Sequence, residues 1–290
     1  MSFIFTVMNN NDAFYNLVNK LQPLYDTKEA TAIAHEVMEH ITGLGKLQRL
    51  MDKDMSFSSE QLAIYEQMLP ELMQGRPMQY VLGYAWFMGR KFKVNEQVLI
   101  PRPETEELVQ WVIKSQIIND KSQILDIGTG SGCIPISLKL ALPDAEVTSC
   151  DISNEAIAVA TENALILDAS VEFIHCDFLD NAARERLGKY DVIVSNPPYI
   201  PITEKESLHT NVREYEPAMA LFVDDDALLF YKAIAAFGKM HLNNDGAIYC
   251  ELHRDYAVAT KMLFEQQGYT TELLKDMHSN DRMLKAIPTK

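Results

Sequence analysis

Between Gln123 and Glu251 the chain alternates short aliphatic and β-branched runs with longer runs at helical spacing, and no other feature restricts the fold as much. The strand-like runs are Gln123 to Ile127, Glu146 to Cys150, Val171 to Cys176, Asp191 to Ser195 and Ala247 to Glu251. Ile134 to Leu142, Glu155 to Leu167 and Leu228 to Met240 read as helices. This order of elements argues for a parallel sheet with helices on both faces. Such sheets bind ligands beyond the carboxyl ends of their strands, so the residues that follow each run are the place to look for chemistry.

The chain ahead of this region has a different pattern. Asp26-Thr27-Lys28-Glu29 resembles a capping box opening Ala30 to Ile41, where Ala30, Ile33, Ala34, Val37, Met38 and Ile41 form an apolar stripe. Ser58 or Ser59 caps a second run in which Leu62, Tyr65, Leu69 and Leu72 recur at helical spacing, and Gly75 followed by Pro77 ends it. From Tyr84 to Val94, short aromatic and β-branched stretches flank Met88-Gly89-Arg90, as in a hairpin. The expected organisation is a helical domain over 1–83, a hairpin linker over 84–98 and an α/β domain over 99–290.

Composition narrows the function. A chain of 290 residues, 47% of them hydrophobic, can bury a full core and support a smaller second domain. No apolar run is long enough to span a bilayer, and Met1 to Asn11 lacks a basic region leading into an apolar stretch, so a cytoplasmic protein without membrane attachment is expected. Cys133, Cys150, Cys176 and Cys250 are far apart and read as small buried hydrophobes. His35 and His40 do not have metal-ligand spacing, and no metal is expected. The formal net charge is -15, and the first 92 residues hold 8 basic and 10 acidic ones, so the acidity lies mostly in the larger segment. Such a balance gives no general attraction to a polyanion and disfavours direct nucleic-acid binding.

The first strand runs straight into Gly128-Thr129-Gly130-Ser131-Gly132 and then a helix. Glycines here permit a tight turn and let a ligand approach the backbone near a helix N-terminus. A dinucleotide fingerprint would place its third glycine where Cys133 stands, so the spacing leans away from a pyrophosphate ligand. The second strand closes on Asp151, whose two oxygens can accept both ribose hydroxyls, although an Asp here can also cap a helix. The third ends in Asp177-Phe178, an acceptor for an adenine amino group beside an aromatic face. Three successive strand ends thus suit an adenosine ligand.

The fourth strand delivers Asn196-Pro197-Pro198-Tyr199 to the same edge. A planar NH2 group has two donor hydrogens, which the Asn196 side-chain oxygen and the Pro197 carbonyl could both accept. The two prolines fix the backbone before substrate arrives, and Tyr199 supplies a flat wall. Asn196, Pro197 and Tyr199 are therefore the candidate catalytic residues, with Pro198 completing the substrate site. A nitrogen held this way can face a sulfonium methyl in near-attack geometry.

With these motifs the chain resembles the release-factor glutamine methyltransferases, over about Arg76 to Ala286. The marks are Pro77 to Gly83, Leu99-Ile100-Pro101-Arg102-Pro103-Glu104-Thr105-Glu106, the glycine loop, Ser195 to Tyr199, and Val212-Arg213-Glu214-Tyr215-Glu216-Pro217. The resemblance implies a Rossmann-like class I methyltransferase domain of α/β type, joined by a β-hairpin to a small helical N-terminal domain that helps dock the substrate. It implies S-adenosyl-L-methionine as cofactor, contacted by Gly128 to Gly132, Asp151, Phe178 and Asn196. The implied substrate is the glutamine of the Gly-Gly-Gln tip of peptide chain release factors, held by Asn196 to Tyr199. A monomer is expected. The competing reading is a nucleic-acid adenine methyltransferase, since that amino group presents the same two hydrogens. Charge and the lack of a basic recognition segment stand against it. The chain departs from the family pattern at Glu251-Leu252-His253, where a Glu-x-Gly segment is common, and in the turn before Arg282, which lacks its usual glycine.

Overall fold

Side-chain caps set the helix starts in the first part of the chain. Asn9 accepts from the Asp12 backbone N–H to open α1 (Asn10–Leu21), and Asp26 accepts from Lys28 and Glu29 to open α2 (Thr27–Thr42). The full reciprocal capping box forms instead at α4 (Ser59–Met73), between Ser58 and Gln61. Short helices α3 (Lys46–Met51) and α5 (Met78–Leu82) complete this part. Gly43 ends α2 at φ 68°, a conformation that glycine adopts without a Cβ penalty. The stripe on α2 is buried at Ala30, Ala34, Val37, Met38 and Ile41. Tyr65 ties α4 to α1, donating to the Ala13 carbonyl at 3.2 Å and accepting from Asn16 at 3.0 Å.

The computed structural model describes residues 8–115 and 121–289, so most of the Met1 to Asn11 stretch lies outside the described residues. By contacts the chain divides into one unit of residues up to Gly83 with Thr210–Tyr215, and a second of Tyr84–His209 and Glu216–Lys290. The helical turn Thr210–Tyr215 joins the first unit, where the Tyr215 hydroxyl donates to the Gln74 carbonyl. Nothing in its sequence announced that.

The second unit opens with the hairpin β1 (Tyr84–Phe87) and β2 (Arg90–Lys93), which groups with this unit. Met88 and Gly89 form its two-residue loop at φ 49° and 71°, the left-handed turn whose twist matches that of the strands. Then follow α6 (Pro103–Ile113), β3 (Gln123–Ile127), α7 (Cys133–Ala141), β4 (Glu146–Asp151), α8 (Asn154–Ile166), β5 (Glu172–His175) and β6 (Tyr190–Ser195). After a segment carrying the two-residue strands Ile200–Pro201 and Phe222–Val223 come α9 (Leu229–His241), β7 (Leu242–Glu251), α10 (Ala257–Gln266), β8 (Tyr269–Lys275) and β9 (Asp281–Pro288).

The main sheet has the order β8-β9-β7-β6-β3-β4-β5. Its central strands β3, β6 and β7 are buried on both faces, which explains their nearly continuous apolar runs. Leu125, Ile127, Ile193 and Ile248 enter one core, while Ile124, Val192, Val194, Ala247 and Tyr249 enter the other. The expected parallel sheet is mixed: β3 to β7 run parallel, but β9 pairs antiparallel with β7, and β8 with β9. The cause is the connection between β8 and β9, a tight turn that can join only antiparallel neighbours. Without a glycine, that turn puts Ser279 at φ 67°, held by Asp276, which accepts from the His278 and Asn280 N–H groups. No helix among the described residues is long and apolar enough to cross a membrane.

Candidate active site

The carboxyl edge of the sheet encloses a cavity of about 490 Å³. Of the expected residues, Gly128, Thr129, Gly130, Ser131, Asp151, Asp177, Phe178, Asn196 and Pro198 line it. Gly132, Pro197 and Tyr199 stand outside its wall.

The glycine loop is folded back on its neighbouring strand: the Gly128 and Thr129 N–H groups both donate to the Cys150 carbonyl, at 2.9 and 3.2 Å. Gly128 lies at φ 87° and Gly130 at φ 51°, the left-handed region that glycine enters without a Cβ penalty. Gly132, at φ 80°, serves packing, since a Cβ there would meet Ile136 at 2.8 Å and Ala160 at 3.0 Å. Asp151 accepts from Gly130 N–H at 3.0 Å with one oxygen and from Ser153 N–H at 2.9 Å with the other. Ser153, not Asp151, caps α8. Each Asp151 oxygen keeps a lone pair for a further donor. Asp177 accepts from the Leu179 N–H, and Phe178 packs edge-on against Phe237 at 5.2 Å, so part of its ring belongs to the core. Within β3, buried Asp126 accepts from Ser149, which is hydrogen-bonded in turn to Thr129.

At the end of β6, Ser195 donates to the Ile127 carbonyl and locks two strand ends together. Asn196 Nδ2 donates to Thr105 Oγ1 at 3.1 Å, and Thr105 Oγ1 donates to Glu251 Oε2 at 2.6 Å. Tyr199 donates to the other Glu251 oxygen at 3.2 Å, and its ring packs edge-on against His253 at 5.7 Å. Burial pushes the Glu251 carboxyl above its usual range, opposed by the Thr105 hydrogen bond and the Arg282 charge. Burial, then the Glu251 charge, push the Tyr199 phenol up, so it stays a neutral donor. His253, at the position where the Glu-x-Gly pattern has glycine, also lies 3.5 Å from Glu204. Burial lowers its imidazole from the usual value.

Sequence reasoning named neither Thr105 nor Glu251 for the site. Glu251 closes β7, so the strand-end rule, carried one strand further, would have found it. Arg102, in the cavity wall, pairs with buried Glu216, which also accepts from the Ile100 N–H. That contact joins the Leu99 to Glu106 stretch to the end of the Val212 to Pro217 stretch. Among the described residues, no His, Cys, Asp and Glu cluster could hold a metal ion.

The Methyltransferase small domain family matches residues 105–214, and the PrmC N-terminal domain family matches 17–83. A release factor glutamine methyltransferase of Flavobacterium psychrophilum is 41% identical over 273 residues, covering 92% of this chain and 95% of its own. That of Bacteroides thetaiotaomicron is 41% identical over 268 residues, with the same two coverages. The chain belongs to the release factor glutamine methyltransferase family. A solved methyltransferase from Pyrococcus furiosus is 16% identical, covers 70% of this chain and 91% of its own at a TM-score of 0.52, and shares the fold alone. In this family member the small-domain match begins at Thr105 and takes in the glycine loop, Asp151, Asp177, Phe178 and Asn196 to Tyr199. Glu251 lies beyond it.

Proposed function

We propose that this methyltransferase uses S-adenosyl-L-methionine to methylate the side-chain amide nitrogen of the glutamine in the Gly-Gly-Gln motif of peptide chain release factors. The cavity suits such a cofactor: its size falls in the range for small-molecule sites, and the glycine loop, which has no side chain at Gly128 or Gly130, forms part of its wall. Gly128 to Ser131 would lie along the ligand, Asp151 would accept from ribose hydroxyls, and Asp177 and Phe178 would meet the adenine. When bound, the cofactor supplies an electrophilic sulfonium methyl group; the protein orients the acceptor.

The observation that carries the reading is the hydrogen bond from Asn196 Nδ2 to Thr105. It turns the NH2 end of Asn196 away and leaves its oxygen to accept from a substrate amide. With the Pro197 carbonyl as second acceptor, both hydrogens of a glutamine amide are held, and the rigid prolines keep the nitrogen aimed. An amide lone pair is delocalised and a poor nucleophile, so orientation and acceptor contacts that favour loss of a proton are the help it needs.

The test is transfer of labelled methyl from S-adenosylmethionine to purified release factor, with a variant lacking the motif glutamine and duplex DNA as parallel substrates. Label should enter the intact release factor only. Label in DNA with none in release factor would replace this reading with adenine methylation.

A further inference from the structure

Asn196 and Tyr199 come from a loop that a proline pair stiffens, yet neither prolines nor strand end dictate which way the Asn196 amide is turned. Its oxygen and NH2 are nearly the same size, and only hydrogen bonding separates the two orientations. Glu251 makes that choice. The single Thr105 hydrogen is given to Glu251 Oε2 at 2.6 Å, so Thr105 Oγ1 can only accept from Asn196. The acceptor oxygen of Asn196 is thereby turned away from Thr105. The second oxygen of the same carboxylate accepts from the Tyr199 hydroxyl.

We infer, on the reading of the site given above, that Glu251 is a positioning residue that sets the polarity of the amide-binding slot, through Thr105 to Asn196 on one side and directly to Tyr199 on the other. Glu251 does not line the cavity. It is 2% exposed, and its place is fixed from the backbone as well, because the Tyr231 hydroxyl donates to its carbonyl at 2.9 Å. Burial makes the arrangement sensitive to donor and acceptor identity, since a mismatched pair in this setting has no water to turn to.

The substitutions that separate polarity from shape are Thr105→Val, which keeps the volume and removes the relay, and Glu251→Gln, which keeps the length and presents a donor to one of two hydroxyls. Thr105→Ser retains the hydroxyl. In steady-state assays on release factor, Thr105→Val and Glu251→Gln should lower kcat by about 100-fold, the scale of loss when a reacting group is misaligned. KM for release factor and the cofactor dissociation constant should move little, and Thr105→Ser should recover most of the rate. Folded Thr105→Val with a rate close to wild type would overturn the proposal, as would a Thr105→Ser variant as poor as Thr105→Val.

A second measurement keeps this separate from the identity of the substrate. The Asn196 side-chain amide resonances, assigned by their absence in Asn196→Ala, should shift and exchange faster with solvent in Thr105→Val. If wild type transfers no methyl to release factor but those resonances still move, the substrate reading has failed and the relay stands; if they do not move, the relay is wrong.

Discussion

Asp151 is placed where three demands meet: it holds the Gly130 N–H, it holds the Ser153 N–H, and it lines the cavity. The carboxylate therefore stiffens the loop it shares with the ligand and offers charged acceptors to it. Asp151→Asn keeps one oxygen and replaces the other with a donor. It should weaken S-adenosylmethionine binding by ~1.5 to 3 kcal/mol, the worth of a hydrogen bond to a charged group. By calorimetric titration that is a dissociation constant raised by roughly ten- to a hundredfold. An unchanged constant in a folded variant would reduce Asp151 to a turn-holding residue. Glu251 illustrates the opposite arrangement, a buried carboxylate whose hydroxyl donors both belong to the protein itself.

At the scale of elements, the glycine loop contains two kinds of constraint that look alike in sequence. Gly128 and Gly132 have similar φ values, 87° and 80°, but a Cβ on Gly128 would find its nearest neighbour, the Asn196 carbonyl, at 3.9 Å, whereas on Gly132 it would collide with Ile136 and Ala160. Both alanine variants meet the backbone cost of a left-handed residue, ~1 to 2 kcal/mol. Gly132→Ala adds overpacking between α7 and α8, a further ~1 to 3 kcal/mol. Urea unfolding should therefore rank Gly132→Ala as clearly less stable than Gly128→Ala, with Gly128→Ala losing cofactor affinity. Equal stabilities would mean that α8 can move aside.

For the whole molecule, the buried polar groups of β3 and β4 couple folding to pH. Burial pushes Asp126 up to about 8 from 3.8, with the Ser149 hydrogen bond lowering it and the Asp151 charge raising it. Between those two values the folded state keeps a proton that the unfolded chain has lost. The contribution of Asp126 to the unfolding free energy therefore falls as pH rises through the window, by up to ~1.4 kcal/mol per pH unit, and is flat below it. Asp126→Asn is neutral throughout. The stability of wild type relative to this variant should decline steadily from about pH 4 to about pH 8 if Asp126 titrates as linkage requires. A difference independent of pH would show that Asp126 does not hold its proton in the fold.

The alternation from Gln123 to Glu251 was enough to specify strands and helices in order, because the central strands are buried on both faces and the helices on one, and those two conditions write different periods. The same periodicity located the strand ends, and hence the glycine loop, Asp151, Asp177 and Asn196. Local pattern carries no information about partners far along the chain. The pairing of β9 with β7, the relay from Asn196 through Thr105 to Glu251, and the Arg102–Glu216 ion pair each join residues that no window of sequence contains together. Gly128 and Gly132 are the same letter with different duties, and Ser279 does the work of a glycine in a turn that Asp276 holds, its carboxylate accepting from the His278 and Asn280 N–H groups and its carbonyl from the Ser279 N–H. Sequence sets what each segment prefers by itself; which buried group satisfies which is settled only when folding removes water as an alternative partner.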